Sequence, residues 1–184
     1  PNTPDINPFA LQTGNESTHL QKYFLAATLS SSVGIYGPVF EYMVCEPMAV
    51  GKEEYLNSEK YEVQKWDWNI QNKLTTLISR INKIRKEETS LQQTNNIVFC
   101  DTNNDKMIAY YKFDDDKQNK TLMVVSLNSF HTNQAMIKLP GQLLGSLPLQ
   151  ITDLITGNHF TWYQEWNFVE LNPNVPFHLF KITN

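Results

Sequence analysis

The sequence has few of the residues that build metal, nucleotide or disulfide sites. Its two cysteines, Cys45 and Cys100, are far apart and have no second Cys or His at ligand spacing. Reduced thiols are therefore expected rather than a disulfide or a zinc site. The four histidines, His19, His131, His159 and His178, are scattered, so neither zinc ligation nor a nucleophile–histidine pair has support. Only seven glycines are present and none forms a Gly-rich phosphate loop, which argues against nucleotide binding. No cofactor and no metal are expected. Positive charge is also scarce: 15 Lys and Arg against 19 Asp and Glu give a net charge of −4, not the basic footprint that nucleic acid requires. No apolar run approaches the roughly 20 residues that span a bilayer, and the first residues carry no charged and apolar leader. The expectation is a soluble cytoplasmic chain with no nucleic-acid or membrane partner.

What is present is enough for a packed core. Apolar residues make up 41% of 184 positions and charged residues 18%, an ordinary globular balance at a length that suits one large domain or two small ones. Leu20, Tyr23, Phe24 and Ala27 recur at helical spacing between Glu16 and Ser31, with Asn15 or Ser17 available as a cap. Val33-Gly34-Ile35-Tyr36-Gly37 reads as a buried strand following that helix. Residues 38 to 65 form a long irregular segment rich in carboxylates. A second helix is expected from Trp68 to Glu88, with Ile70, Leu74, Ile78 and Ile81 on its apolar stripe. Beyond residues 92 to 96 the period changes from helical to two-residue alternation. Eight short runs follow, at 97–101, 107–113, 121–128, 134–139, 149–155, 159–163, 167–171 and 177–182, separated by turn signals such as Asn103-Asn104-Asp105 and Thr156-Gly157-Asn158. That spacing predicts an antiparallel β-sandwich with the second helix docked beside it.

Three places could carry chemistry. Asp5 lies in a Pro- and Asn-rich segment that reads as the loop after an upstream element, and catalytic groups of α/β barrels sit in loops at strand ends. A carboxylate in such a turn also serves ordinary turn chemistry. The run Glu53-Glu54-Tyr55-Leu56-Asn57-Ser58-Glu59-Lys60-Tyr61 gathers three carboxylates, an ammonium and two phenols, a mix that hydrogen-bonds sugar hydroxyls or simply forms a solvated turn. Trp162, Tyr163 and Trp166 could stack on sugars, with core packing as the default.

Asn2-Thr3-Pro4-Asp5, followed by Leu25-Ala26-Ala27-Thr28-Leu29-Ser30 and Gly34-Ile35-Tyr36, resembles the α-1,4-glucan maltosyltransferases of the α-amylase superfamily (glycoside hydrolase family 13). The resemblance continues through the Glu53 to Tyr61 run, Ile84-Arg85-Lys86-Glu87, Asp153-Leu154-Ile155-Thr156-Gly157 and Asn167-Phe168-Val169-Glu170-Leu171. It implies that residues 1–93 are the last quarter of a (β/α)8 TIM barrel and residues 94–184 the β-sandwich that follows it. It implies a glycosyltransferase that moves maltosyl from maltose 1-phosphate to the non-reducing end of an α-glucan with retention. Asp5 becomes the transition-state stabilising carboxylate, and Lys60 and Tyr61 hold the second sugar of the maltosyl unit. The nucleophile and general acid lie on earlier strands, so the chain alone is expected to be inactive. Gly14-Asn15-Glu16-Ser17-Thr18 and Gly37-Pro38-Val39-Phe40-Glu41 depart from the family pattern.

Two other readings share parts of this picture: a hydrolase or trehalose-forming isomerase of the same superfamily, and a non-catalytic glycan-binding sandwich that requires Trp162, Tyr163 and Trp166 to be exposed together. A barrel segment without its neighbours is also expected to leave the Leu20 to Leu29 helix face bare, favouring self-association.

Overall fold

The computed structural model describes residues 1–183. Helix α1 (Glu16–Leu29) starts where Asn15 accepts the Thr18 N–H through its side chain at 2.9 Å, so the asparagine is the cap. Helix α2 (Gly37–Glu41) is one short turn opened by Pro38. Helix α3 (Lys73–Glu87) begins with a reciprocal box in which Asn72 and Thr75 each satisfy the other's backbone N–H. It places Leu74, Leu77, Ile78, Ile81 and Ile84 on one buried stripe.

Eight strands follow: β1 (Ile97–Cys100), β2 (Met107–Phe113), β3 (Lys120–Ser126), β4 (Asn133–Lys138), β5 (Leu149–Asp153), β6 (His159–Trp162), β7 (Trp166–Leu171) and β8 (Phe177–Thr183). A one-turn helix, α4 (Gly141–Leu144), lies between β4 and β5. Six strands pair antiparallel in the order β1-β2-β3-β8-β5-β6, and β4 pairs antiparallel with β7 in a second sheet. This is the antiparallel sandwich that the alternation predicts.

The large sheet is buried on both faces. Tyr110, Met123, Val125, Phe177 and Leu179 face α1 and α3, while Ala109, Leu122, Val124, Phe180 and Ile182 face Ala135, Ile137, Val169 and Leu171 of the small sheet. A strand covered on both sides needs apolar side chains at successive positions, which is why β3 reads Leu122-Met123-Val124-Val125 without a polar break.

Three sequence-based expectations change. The predicted strand at Val33–Tyr36 carries no strand pairing among the described residues, because β structure needs a neighbouring strand and none of the eight lies beside it. The second helix starts at Lys73 rather than Trp68, since Asp67 closes a turn on Asn69 and Ile70, and Ile70 is exposed instead of docked. The apolar face of α1 is not bare either: Leu20, Tyr23, Phe24 and Ala27 are all buried. Phe24 stacks on Phe177 at 4.0 Å, and the Tyr23 phenol bonds Asn82 at 3.0 Å, so the sheet and α3 cover this face.

The end of α1 is held by cations. The Arg85 guanidinium donates to the carbonyls of Ala27 and Ser31, and the buried Lys112 ammonium donates to those of Thr28 and Gln93, the latter at 2.6 Å. A helix C-terminus presents unpaired carbonyls and partial negative charge, so both groups suit it. Burial nevertheless lowers the Lys112 pKa from 10.5 to about 8, with the positive Arg85 nearby adding to the effect. Between those values the unfolded chain binds more protons than the folded one, so stability rises as pH rises. The buried Cys100 thiol, pushed up from 9.0 to about 12, gives the opposite slope over the same range, so in a Cys100→Ser background denaturant melts should show the rise from pH 8 to about 9.5, before tyrosines titrate, with a slope of at most about 1.4 kcal/mol per pH unit. Lys112→Met should flatten it; an unchanged slope in the variant would mean another group is responsible.

Candidate functional site

Asp5 and the Glu53–Tyr61 run are 48 or more positions apart in sequence, yet side-chain hydrogen bonds stitch them together. The Asn2 carboxamide pairs with the Tyr36 backbone N–H at 2.9 Å and donates to the Tyr55 hydroxyl at 3.0 Å. Buried Asn7 donates to the Cys45 carbonyl at 2.9 Å, and its backbone N–H reaches the Glu53 carbonyl. Thr3 Oγ1 accepts the N–H groups of Asp5 and Ile6, a local turn that turns the Asp5 carboxylate outward. On the other side, Pro47 and Tyr55 form an isolated antiparallel bridge, and the N–H groups of Tyr61 and Glu62 close a turn on the Ser58 carbonyl.

The result brings all three residues singled out from the sequence into one cluster. Lys60 Nζ lies 3.1 Å from the Asp5 carboxylate and 3.6 Å from that of Glu54. The Tyr61 hydroxyl donates to Glu54 at 3.2 Å, and Lys60 Nζ sits 5.4 Å from the centre of the Tyr61 ring. The hydrogen bond to Asp5, then that to Tyr61, raises the Lys60 pKa, so the lysine carries its charge throughout the physiological range. All three side chains stand at the surface, where polar groups can exchange partners with a ligand's hydroxyls.

Beside the cluster lies a cleft of about 250 Å³, lined in part by Tyr36, Tyr55, Glu59, Gln64 and Trp66. Glu59 organises it. One carboxylate oxygen accepts the Tyr36 hydroxyl at 2.6 Å and the other accepts the Trp66 indole N–H at 2.7 Å. These two bonds lower the Glu59 pKa, while burial and then the bond to Glu59 push the Tyr36 phenol up to about 12. Asp5, Lys60 and Tyr61 do not line the cleft. Lys60 and Tyr61 follow Glu59 on the same backbone turn, and Asp5 joins them from the N-terminal segment through its ion pair with Lys60.

Sequence reasoning missed the functions of Glu54, Glu59, Tyr36 and Trp66 in this arrangement. The signal for Glu54 and Glu59 was the density of carboxylates in the run itself. The partners Tyr36 and Trp66 have no signature, because they reach Glu59 through the fold. The proposed aromatic platform is not formed: Trp162 is buried edge-on against Phe180 at 5.5 Å, Tyr163 is exposed, and Trp166 lies 5.8 Å below the Lys138 ammonium.

Comparison with known proteins agrees with the resemblance read from the motifs. Residues 99–182 match the family described as "GLGE, C-terminal". The whole chain is 43% identical to an alpha-1,4-glucan:maltose-1-phosphate maltosyltransferase of Methylacidiphilum infernorum, and 99% of it is 39% identical to one of Chlorobaculum tepidum. The chain is related to the C-terminal part of these maltosyltransferases. It spans 28% of the length of each of these relatives. Among solved structures, 96% of the chain superposes on 39% of a maltogenic α-amylase from Thermotoga neapolitana with a TM-score of 0.65 at 10% identity. An α-amylase from Geobacillus thermoleovorans gives a TM-score of 0.60 at 13% identity over 91% of the chain and 33% of the amylase. The fold is thus shared with α-amylase-family enzymes well beyond sequence similarity.

Glu59 should be the fixed point of the cleft in this maltosyltransferase relative. In Glu59→Gln the acceptor loses its charge, which weakens both bonds. The Tyr36 ionisation should then move down from about 12 in an ultraviolet titration, and the Trp66 indole proton should exchange faster. If neither changes, the cleft does not depend on this carboxylate.

Proposed function

We propose that the chain is the C-terminal portion of an enzyme that transfers maltosyl from maltose 1-phosphate to the non-reducing end of an α-1,4-glucan, with retention at the anomeric carbon. In this reading residues 1–93 close the (β/α)8 barrel and residues 94–184 are the sandwich that supports it. The relatives' names support the substrates, and the fold shared with α-amylases supports the barrel assignment. The single observation that carries the site is the meeting of Asp5, Lys60 and Tyr61, distant in sequence, around one exposed cluster.

Each residue has a definite task. A retaining mechanism uses a nucleophile and a general acid roughly 5 Å apart, flanking the scissile bond. The proposal assigns both to other parts of the enzyme, so that this chain alone does not catalyse transfer. Asp5 accepts hydrogen bonds from hydroxyls of the reacting sugar, and its negative charge favours the oxocarbenium-like transition state. Sugar binding replaces part of its ion pair with Lys60, which then donates, together with the Tyr61 hydroxyl, to the second glucose of the maltosyl unit. Those bonds fix the disaccharide so that the reacting carbon is correctly placed. A cytoplasmic setting fits the proposal, since Cys45 and Cys100 are both free thiols.

In the intact enzyme, Lys60→Ala or Tyr61→Phe should cost roughly 0.5 to 3 kcal/mol of donor binding, seen as a higher KM for maltose 1-phosphate in a phosphate-release assay. Asp5→Asn should instead lower kcat, because its interaction strengthens in the transition state. Donor kinetics unchanged by all three substitutions would remove the cluster from the active site.

A further inference from the structure

The Lys60 ammonium has two carboxylates within ion-pair distance, Asp5 at 3.1 Å and Glu54 at 3.6 Å. Glu59, its neighbour in sequence, is not available, because its two oxygens are taken by Tyr36 and Trp66. The Glu54 oxygen that faces Lys60, Oε1, also accepts the Tyr61 hydroxyl at 3.2 Å. One atom of Glu54 therefore faces both side chains assigned to the second sugar.

The backbone that carries Glu54 is anchored at each residue from 52 to 56. The Gln12 carboxamide donates to the Lys52 carbonyl at 2.8 Å, the Asn7 N–H to that of Glu53, and the Met48 N–H to that of Glu54 at 2.7 Å. Tyr55 is buried with its hydroxyl bonded by Asn2, and the Leu56 N–H donates to the Glu46 carbonyl at 2.9 Å. Lys60 comes from a separate turn closed on buried Ser58. The side chains of Asp5 and Lys60 are 62% and 49% exposed, that of Glu54 only 26%. Glu54 is thus the best held of the three charged groups, and Lys60, on its flexible four-carbon stem, is the one able to move between the two carboxylates.

Two demands conflict at Asp5. A carboxylate stabilises positive charge developing on a sugar ring only to the extent that a cation has not already neutralised it, and Lys60 stands at 3.1 Å. We propose that Glu54 is a positioning residue for the transfer reaction: it takes over the Lys60 ammonium when the sugar binds, so that Asp5 faces the reacting ring with its charge free and Lys60 faces the second glucose. The inference rests on the assignment of Asp5, Lys60 and Tyr61 to the maltosyl unit. Glu54 acts through Lys60 and does not itself touch the reacting atoms. An ammonium has three N–H donors, enough for Glu54 and two sugar hydroxyls at once. Without the Glu54 charge, Lys60 has Asp5 alone as its ionic partner, and that pair opposes both tasks.

The test is steady-state kinetics of the intact enzyme with maltose 1-phosphate and a malto-oligosaccharide acceptor, followed by phosphate release. Glu54→Gln should lower kcat about fivefold, the scale of one solvent-exposed ion pair, and raise the donor KM severalfold. Adding Lys60→Ala to Glu54→Gln should bring kcat back to that of Lys60→Ala alone, because no ammonium is left to neutralise Asp5, while KM stays high. A purely structural role for Glu54 allows no such recovery. Thermal melts of each variant establish folding, and Glu54→Ala carries the same comparison if the amide variant melts early. An unchanged kcat in Glu54→Gln, or an equal loss with and without Lys60, would overturn the proposal. If Lys60→Ala and Tyr61→Phe raise KM while Glu54→Gln is silent, only the role of Glu54 falls. If neither raises it, the maltosyl assignment falls and the role of Glu54 with it.

Discussion

The contact on which the rest of the structure depends is the C-terminal end of α1. Four carbonyls from Ala27 to Ser31 and at Gln93 are bonded by Arg85 of α3 and Lys112 of β2. The Thr28 hydroxyl donates to the Phe24 carbonyl and so accepts from Tyr110 of β2, at 2.6 Å. One helix end therefore ties together the helical segment and the sheet. Buried carbonyls without partners would each cost on the order of 1 to 3 kcal/mol, so no element can leave this junction alone. Burying a lysine here is explained by what it bonds: a helix end supplies partial negative charge without a carboxylate.

That junction also explains how residues 1–72, with little regular structure, hold a site. Helix α1 is buried on nearly every side, against α3, the large sheet, and Phe40 through His19. It is a rigid plate on which the loops rest. Above it, asparagine side chains do the work that strand ladders would do elsewhere: Asn2 pairs with the Tyr36 backbone, and Asn7 links two loops. Glu59 then fixes the turn that carries Lys60. The site's precision comes from these side-chain bonds, whose partners are tens of residues apart.

That difference decides what the sequence reveals. All eight strands are legible to within two residues because each is bounded by turn residues and all but β1 carry buried side chains, so alternation and punctuation coincide. Helix α1 is legible from Leu20, Tyr23, Phe24 and Ala27. The start of α3 is not, because Ile70 continues the apolar spacing while the capping pair Asn72 and Thr75 sets the true boundary. Val33 to Tyr36 has strand composition, but pairing is not a local property. For the site, Lys60 and Tyr61 are visible through a resemblance over a dense polar run, and their meeting with Asp5 follows from the fold. Glu59's grip on Tyr36 and Trp66 could not be read, since it joins three segments that carry no common motif. Of the aromatic rings chosen from sequence, Tyr163 is exposed but Trp162 is not, because strand alternation turns Trp162 inward, while Phe168, not chosen, stays exposed on the small sheet.

A two-stranded sheet facing a six-stranded one cannot cover it, and the mismatch has a physical consequence. Where β4 and β7 overlie β2 and β3, apolar side chains interdigitate at Ala109, Leu122, Ala135 and Ile137 and exclude water. Past the free edge of β7, the inner face of the large sheet switches from aliphatic to aromatic at Phe180, Trp162 and Phe160. Aliphatic residues there would leave a plain exposed hydrophobic patch, whereas rings packed edge-on shield one another and leave flat faces outward. The polar pair behind them completes the change of character: Asp153 is wholly buried and is supported by two further donors besides His178, so its charge stays stabilised although burial opposes it. The same strands thus build a dry core at one end and an open, oriented, aromatic cleft at the other, with the loops around Asp5 held on the opposite face of the same sheet.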